Sequence, residues 1–236
     1  MKITSPYEYH DLDSITDKET GVRQYVTPEG DKLYSVTTIL SATKDDEGLK
    51  QWRQYVGDKK ADEIVKEATG HGSLMHADLE NYILGKDRIS GNHIMRKNAR
   101  RMADLIINQG LCKVDEVWGI EAALYYPGLY AGRSDLIGVF NGVPAIMDFK
   151  NSRKIKKEEY VQDYYLQLTA YALAHNELYG TDINRGVIFM ASREFEYKTF
   201  YLDEVKFADC VDQWLRRVEH FYKNPLRKPS DLQSLG

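Results

Sequence analysis

Hydrophobic positions change their period along this chain, and each change predicts an element. Residues Met1 to Lys32 show no sustained period, only turn signals at Thr20-Gly21 and Pro28-Glu29-Gly30. These allow a short hairpin pairing Arg23–Val26 with Lys32–Ser35. From Glu47 to Thr69, Leu49, Trp52, Tyr55 or Val56, Ala61, Ile64 and Val65 recur at helical intervals, with an interruption at Gly57. A second helix is expected from near Gly72 to about Leu84, with Leu74 or Met75, Leu79 and Ile83 as its apolar stripe and Gly85 as its stop. A third, about Asn92 to Gln109, sets Met95, Met102, Leu105 and Ile106 opposite Arg96, Lys97, Arg100 and Arg101.

From Glu116 the period becomes strand-like. Val117 to Tyr125 is one strand, Ala131 to Phe140 a second and Val143 to Lys150 a third, the last two joined by the hairpin signal Asn141-Gly142. A basic loop, Asn151 to Lys157, leads to a helix from Glu158 to Tyr179, ended by Gly180. The apolar run Val187 to Met190 reads as an interior strand and Glu196 to Leu202 as an edge strand. Phe207 to Lys223 closes the pattern as an amphipathic helix, followed by a polar, loosely held tail from Pro225. A meander of strands between helical segments predicts an α/β (α+β) fold.

Composition narrows the class. A chain of 236 residues, 42% hydrophobic and 29% charged, suits one domain over 1–236, with a helical region at 35–112 and an α/β core at 113–223. No apolar run approaches a membrane span, and the N-terminus carries no secretory or transit character, so a cytoplasmic setting is expected. Cys112 and Cys210 read as buried free thiols and cannot form an iron–sulfur cluster by themselves. A net charge of −4 argues against a protein that coats nucleic acid, but not against a nuclease whose acidic metal ligands offset basic patches.

Chemistry concentrates at the third strand's end. Asp148 and Lys150, two apart, share a face, while Phe149 turns to the other. The hairpin can bring Asp135 alongside, giving carboxylates and an ammonium suited to a hard divalent cation and a phosphate. On the second helix His76 and Glu80 lie one turn apart, and Gly72 leaves that face open to close approach. Glu121 is an acid within strand residues and either faces solvent or approaches the metal. Ser35, Thr37 and Thr38 suit helix capping, or their helix-start amides a phosphate. The basic face with Arg96 and Arg100 is either a solvated surface or a wall beside a phosphate backbone.

In chain order these residues resemble the PD-(D/E)XK nuclease superfamily, RecB-like exonuclease branch. They are helical His76, Gly132-Arg133-Ser134-Asp135, Asp148-Phe149-Lys150 and Gln167-Leu168-Thr169-Ala170-Tyr171. The stretches SVTTIL and LKQWRQYVG and the Gly72, His76, Glu80 spacing look closest to the mitochondrial genome maintenance exonucleases and their phage relatives. The resemblance implies a restriction-endonuclease-like core, a mixed central sheet flanked by helices with an N-terminal helical elaboration, and a metal-dependent DNA exonuclease acting on single-stranded DNA, with residues 35–112 guiding the strand. It implies Mg2+ or Mn2+ held by His76, Asp135, Asp148 and the Phe149 carbonyl, with Glu80 and Glu121 as outer groups or ligands of a second ion. Lys150, Gln167 and Tyr171 would complete the catalytic set. Ser35, Thr37, Arg96, Arg100, Arg133, Ser152, Arg153 and Lys154 would meet DNA, with replication or recombination proteins as partners. The alternatives are an endonuclease or structure-selective nuclease of the same fold, and a non-catalytic DNA-binding protein.

Overall fold

The computed structural model describes residues 1–18, 20–44 and 47–224, with the backbone alone at Leu49. The tail expected from Pro225 and the Leu49 side chain lie outside the described residues. Four short strands come first: β1 (Lys2–Ile3), β2 (Asp13–Thr16), β3 (Arg23–Val26) and β4 (Lys32–Tyr34). Helices α1 (Val36–Ala42), α2 (Glu47–Val56), α3 (Asp58–Ile83) and α4 (Ile94–Gln109) follow. The remainder is β5 (Val114–Tyr126), β6 (Tyr130–Phe140), β7 (Val143–Ser152), α5 (Gln162–Tyr179), β8 (Gly186–Ser192), β9 (Tyr197–Leu202) and α6 (Glu204–Lys223).

The central sheet is mixed and runs β1-β5-β6-β7-β8-β9. The meander β5-β6-β7 is antiparallel, as its turn chemistry dictates, whereas β7 and β8 are parallel and joined through α5. Every residue of β8 is buried, the expectation for an unbroken apolar run, and β9 lies at the sheet edge. Alternation along the strands feeds two cores. Ile137, Ile146 and Ile188 pack against α5 and α6 on one face, while Leu136, Met147 and Phe149 pack against α3 and α4 on the other.

Several expectations are corrected. The break between the first two expected helices sits at Gly57 (φ +84°), and α3 runs unbroken through Gly70, His71 and Gly72. Glycines inside a helix cost about 1 kcal/mol each in isolation. Here packing overrides them: Gly72 lies against Asn151, whose amide donates to the Ala68 carbonyl at 3.0 Å. The basic loop begins two residues late because Asn151 and Ser152 pair with Ala191 and Ser192 and extend β7. The N-terminal hairpin forms, and β2 adds to it as a third strand. Cys112 is exposed in a short 3-10 turn, Leu111–Lys113, although Cys210 is buried. Among the described residues no helix is long and apolar enough to cross a membrane.

Candidate metal centre

Residue Glu121 marks the site. It sits inside β5 with φ +47°, a left-handed conformation that costs a non-glycine residue about 1 kcal/mol or more. The flanking pairs are Ile120 with Leu136 and Ala122 with Ser134, so Glu121 falls opposite Asp135. Its carbonyl accepts from Arg133 Nη1 at 2.9 Å, and Arg133 Nη2 pairs with Asp11 at 2.9 Å. This one guanidinium therefore ties the unusual backbone turn to the N-terminal segment.

The turn brings Glu121 to two other candidates. One ligand atom each of His76, Glu121 and Asp135 lie within 4.8 Å of one another. His76 comes from α3, its Nδ1 3.5 Å from Asp135 Oδ2 and its ring edge-on to Phe149. The same Asp135 oxygen accepts from the Phe149 amide at 2.8 Å, which fixes the carboxylate against β7. Burial, and then the Asp135 charge, push the Glu121 carboxyl up to about 7, with Glu80 adding to the rise and His76 and Arg133 opposing it. Two carboxylates crowded with an imidazole, one of them, Glu121, in surroundings that disfavour its charge, are a donor set suited to a hard or borderline divalent cation.

Asp148 turns elsewhere. Its Oδ2 lies 2.5 Å from Lys150 Nζ and has no other partner among the described residues. Burial raises the Asp148 carboxyl, Lys150 opposes that, and Asp135 adds to it. Burial likewise disfavours the Lys150 charge, but Asp148 and Asp135 outweigh it and hold the ammonium above its ordinary range. Lys150 also donates to Gln167 Oε1 at 3.3 Å. Tyr171 is buried on the same helix, one turn from Gln167, and burial keeps its hydroxyl protonated. Gly132 makes room for that ring: a Cβ there would meet the Tyr171 hydroxyl at 2.8 Å.

Neither the families nor the curated proteins compared with this chain include a match. Several solved structures are similar to it. One is a protein described as a candidate exonuclease from Eubacterium rectale, 15% identical, with a TM-score of 0.48 over 66% of this chain and 65% of that one. Two others are SSO0001, 14% identical with a TM-score of 0.26 over 61% and 84% of the two chains, and protein VC1899 from Vibrio cholerae, 10% identical with a TM-score of 0.23 over 89% and 70%.

Other candidates fall outside this cluster. Ser35 caps α1, accepting from the Thr38 amide at 3.0 Å and meeting the hydroxyls of Thr37 and Thr38. Arg96 and Arg100 donate at 3.0 Å to the Ser90 and Ile89 carbonyls and pin the segment before α4. Ser152 donates to the Lys154 carbonyl, Lys154 pairs with Glu194, and Arg153 is exposed. Tyr164 and Lys156 carry no periodic signal, yet they stand beside the site. Lys150 and Lys156 approach the Tyr164 ring to 4.9 and 4.7 Å, and Lys156 donates to its hydroxyl. The only clue to Lys156 in the chain is the charge of the stretch after β7.

Proposed function

We propose that this protein is a metal-dependent deoxyribonuclease that hydrolyses phosphodiester bonds from single-stranded DNA ends. The observation that carries this reading is the meeting of His76, Glu121 and Asp135 beside the Asp148–Lys150 pair. Those three would hold Mg2+ or Mn2+, and the imidazole favours Mn2+. Bound there, the ion would supply electrophilic activation of the phosphate and acidification of the attacking water. Asp148 is available as a further ligand once its free lone pairs face a cation.

The protein's own groups do the rest. Lys150 keeps its proton and faces the charge that grows on the phosphoryl oxygens. Asp148 and Gln167 hold that ammonium in place, and the Tyr164 ring closes over it. The Asp135 carboxylate is anchored by the Phe149 amide and so needs little reorganisation. Preference for a single strand is supported by a cavity of 1010 Å³ between α2, α3 and the start of α5, whose lining includes Trp52, Tyr160 and Lys156, along with Glu159 and a Lys44–Asp163 pair at 3.1 Å. Aromatic rings and ammonium groups there suit unstacked bases and a phosphate backbone.

A linear single strand and a covalently closed single-stranded circle, each incubated with Mn2+ and with EDTA, test the proposal. Mn2+-dependent loss of the linear strand with the circle intact is expected. Cutting of the circle would replace the end requirement with an endonuclease, and no cutting of either would end the nuclease reading.

A further inference from the structure

A second cavity, of 380 Å³, lies between the small sheet β2-β3-β4 and the face of β5, β6 and α5. Its lining includes Ser14, Arg23 and Tyr25 from the small sheet and Glu121, Gln167 and Tyr171 from the metal-centre side. It therefore opens directly onto the groups that surround Lys150. Arg23 is exposed, and its guanidinium is fixed in place: Nη2 donates to the hydroxyl of buried Tyr25 at 2.9 Å, and the group lies 5.1 Å from that ring's centroid. No carboxylate pairs with Arg23 among the described residues. Arg133, the cavity's other guanidinium, already serves Asp11 and the Glu121 carbonyl.

A positioned guanidinium with open donors, beside hydroxyls and an amide in a polar recess, recognises a tetrahedral oxyanion. We infer that Arg23 and its cavity form a phosphate subsite, which receives a phosphate of the substrate strand next to the one being hydrolysed. This rests on the nuclease reading and deepens it by assigning β2-β3-β4 a share in substrate binding. The phosphate is either an internal diester or a terminal monoester, and the two make the same contacts with Arg23.

The test uses the full chain with Mn2+, comparing wild type, Arg23→Gln and Arg23→Lys on linear single strands bearing a 5′-phosphate or a 5′-hydroxyl. Arg23→Gln is expected to raise KM about tenfold with a smaller effect on kcat, and to lower the salt slope of DNA binding by about 1. Arg23→Lys should recover the salt slope and part of the KM. Calorimetric Mn2+ affinity should match wild type in both variants, because Arg23 touches none of His76, Glu121 and Asp135, and the lost contact with buried Tyr25 should lower the melting temperature only slightly. An equal effect on both strands supports an internal diester, and an effect on the 5′-phosphorylated strand alone supports a terminal one. Wild-type KM and salt slope in Arg23→Gln would overturn the subsite while leaving the nuclease standing. A wild type that neither binds nor cuts DNA would overturn both.

Discussion

The Arg133 guanidinium donates to the Glu121 carbonyl at 2.9 Å and so holds the one β5 residue whose backbone is left-handed. Without that bond the strand can relax to an extended conformation, which would swing the Glu121 carboxylate away from Asp135. Groups that orient a ligand from behind are worth about 10- to 100-fold in metal affinity. Arg133→Ala should therefore weaken Mn2+ binding by that factor in calorimetry of the DNA-free protein. An affinity equal to wild type would show that Glu121 keeps its place unaided.

Asp148 and Lys150 form a buried pair, with side chains 4% and 18% exposed. Removing one partner strands the other charge, at a cost of about 3 kcal/mol or more. Lys150→Met alone should lower the melting temperature, and the double variant Asp148→Asn/Lys150→Met should restore most of it. Cleavage should stay reduced by about 10²-fold or more in both. Recovery of activity along with stability would show that the pair serves folding alone.

Much of this arrangement was legible in the chain. Asp148 and Lys150 were placed on one face by strand periodicity, and the Asn141-Gly142 turn set the register that brings Asp135 against the Phe149 amide. The continuity of α3 was not legible, because Gly70 and Gly72 weaken local helix preference and only contact with β7 and α4 restores it. Nor was the rank of Glu121. Whether an acid within a strand meets solvent or a ligand depends on one backbone angle, and that angle depends on a guanidinium twelve residues away. Arg100 reads as a nucleic-acid contact by charge alone, yet it faces the Ile89 carbonyl and buried Asp78.

Asp78 is fully buried on α3, opposite in role to its neighbours His76 and Glu80. It accepts from Arg88 Nε at 3.2 Å, from Arg88 Nη2 and from the Ile89 amide at 2.8 Å. Arg88 also reaches Asp104 on α4 at 2.7 Å, so one guanidinium, held by buried Asp78, joins α3, α4 and the segment between them. Asp78→Ala should cost about 3–5 kcal/mol. That corresponds to a fall of roughly 6–20 °C in melting temperature for a chain of this size. A fall of under about 2 °C in a calorimetric melt would show that the network adds little to folding.

His175 gives the fold a pH dependence of its own. The ring is fully buried, with Nε2 3.0 Å from the Tyr9 hydroxyl and Nδ1 2.8 Å from Thr181 Oγ1, and the rings of Tyr7 and Tyr179 pack around it. Burial lowers its pKa from 6.5 to about 4. A histidine that resists protonation when folded contributes no pH dependence above 6.5, where both states are neutral. As pH falls from 6.5 towards 4 the unfolded chain takes up a proton that the folded one refuses, so stability is lost across that window. Carboxylates titrate in the lower part of the same range, so the informative quantity is the difference between wild type and His175→Gln. The urea midpoint of the wild type should fall faster than that of the variant between pH 6.5 and 4, and the two curves should run parallel above 6.5. Parallel curves throughout would mean that the folded state accepts the His175 proton as readily as the unfolded chain does.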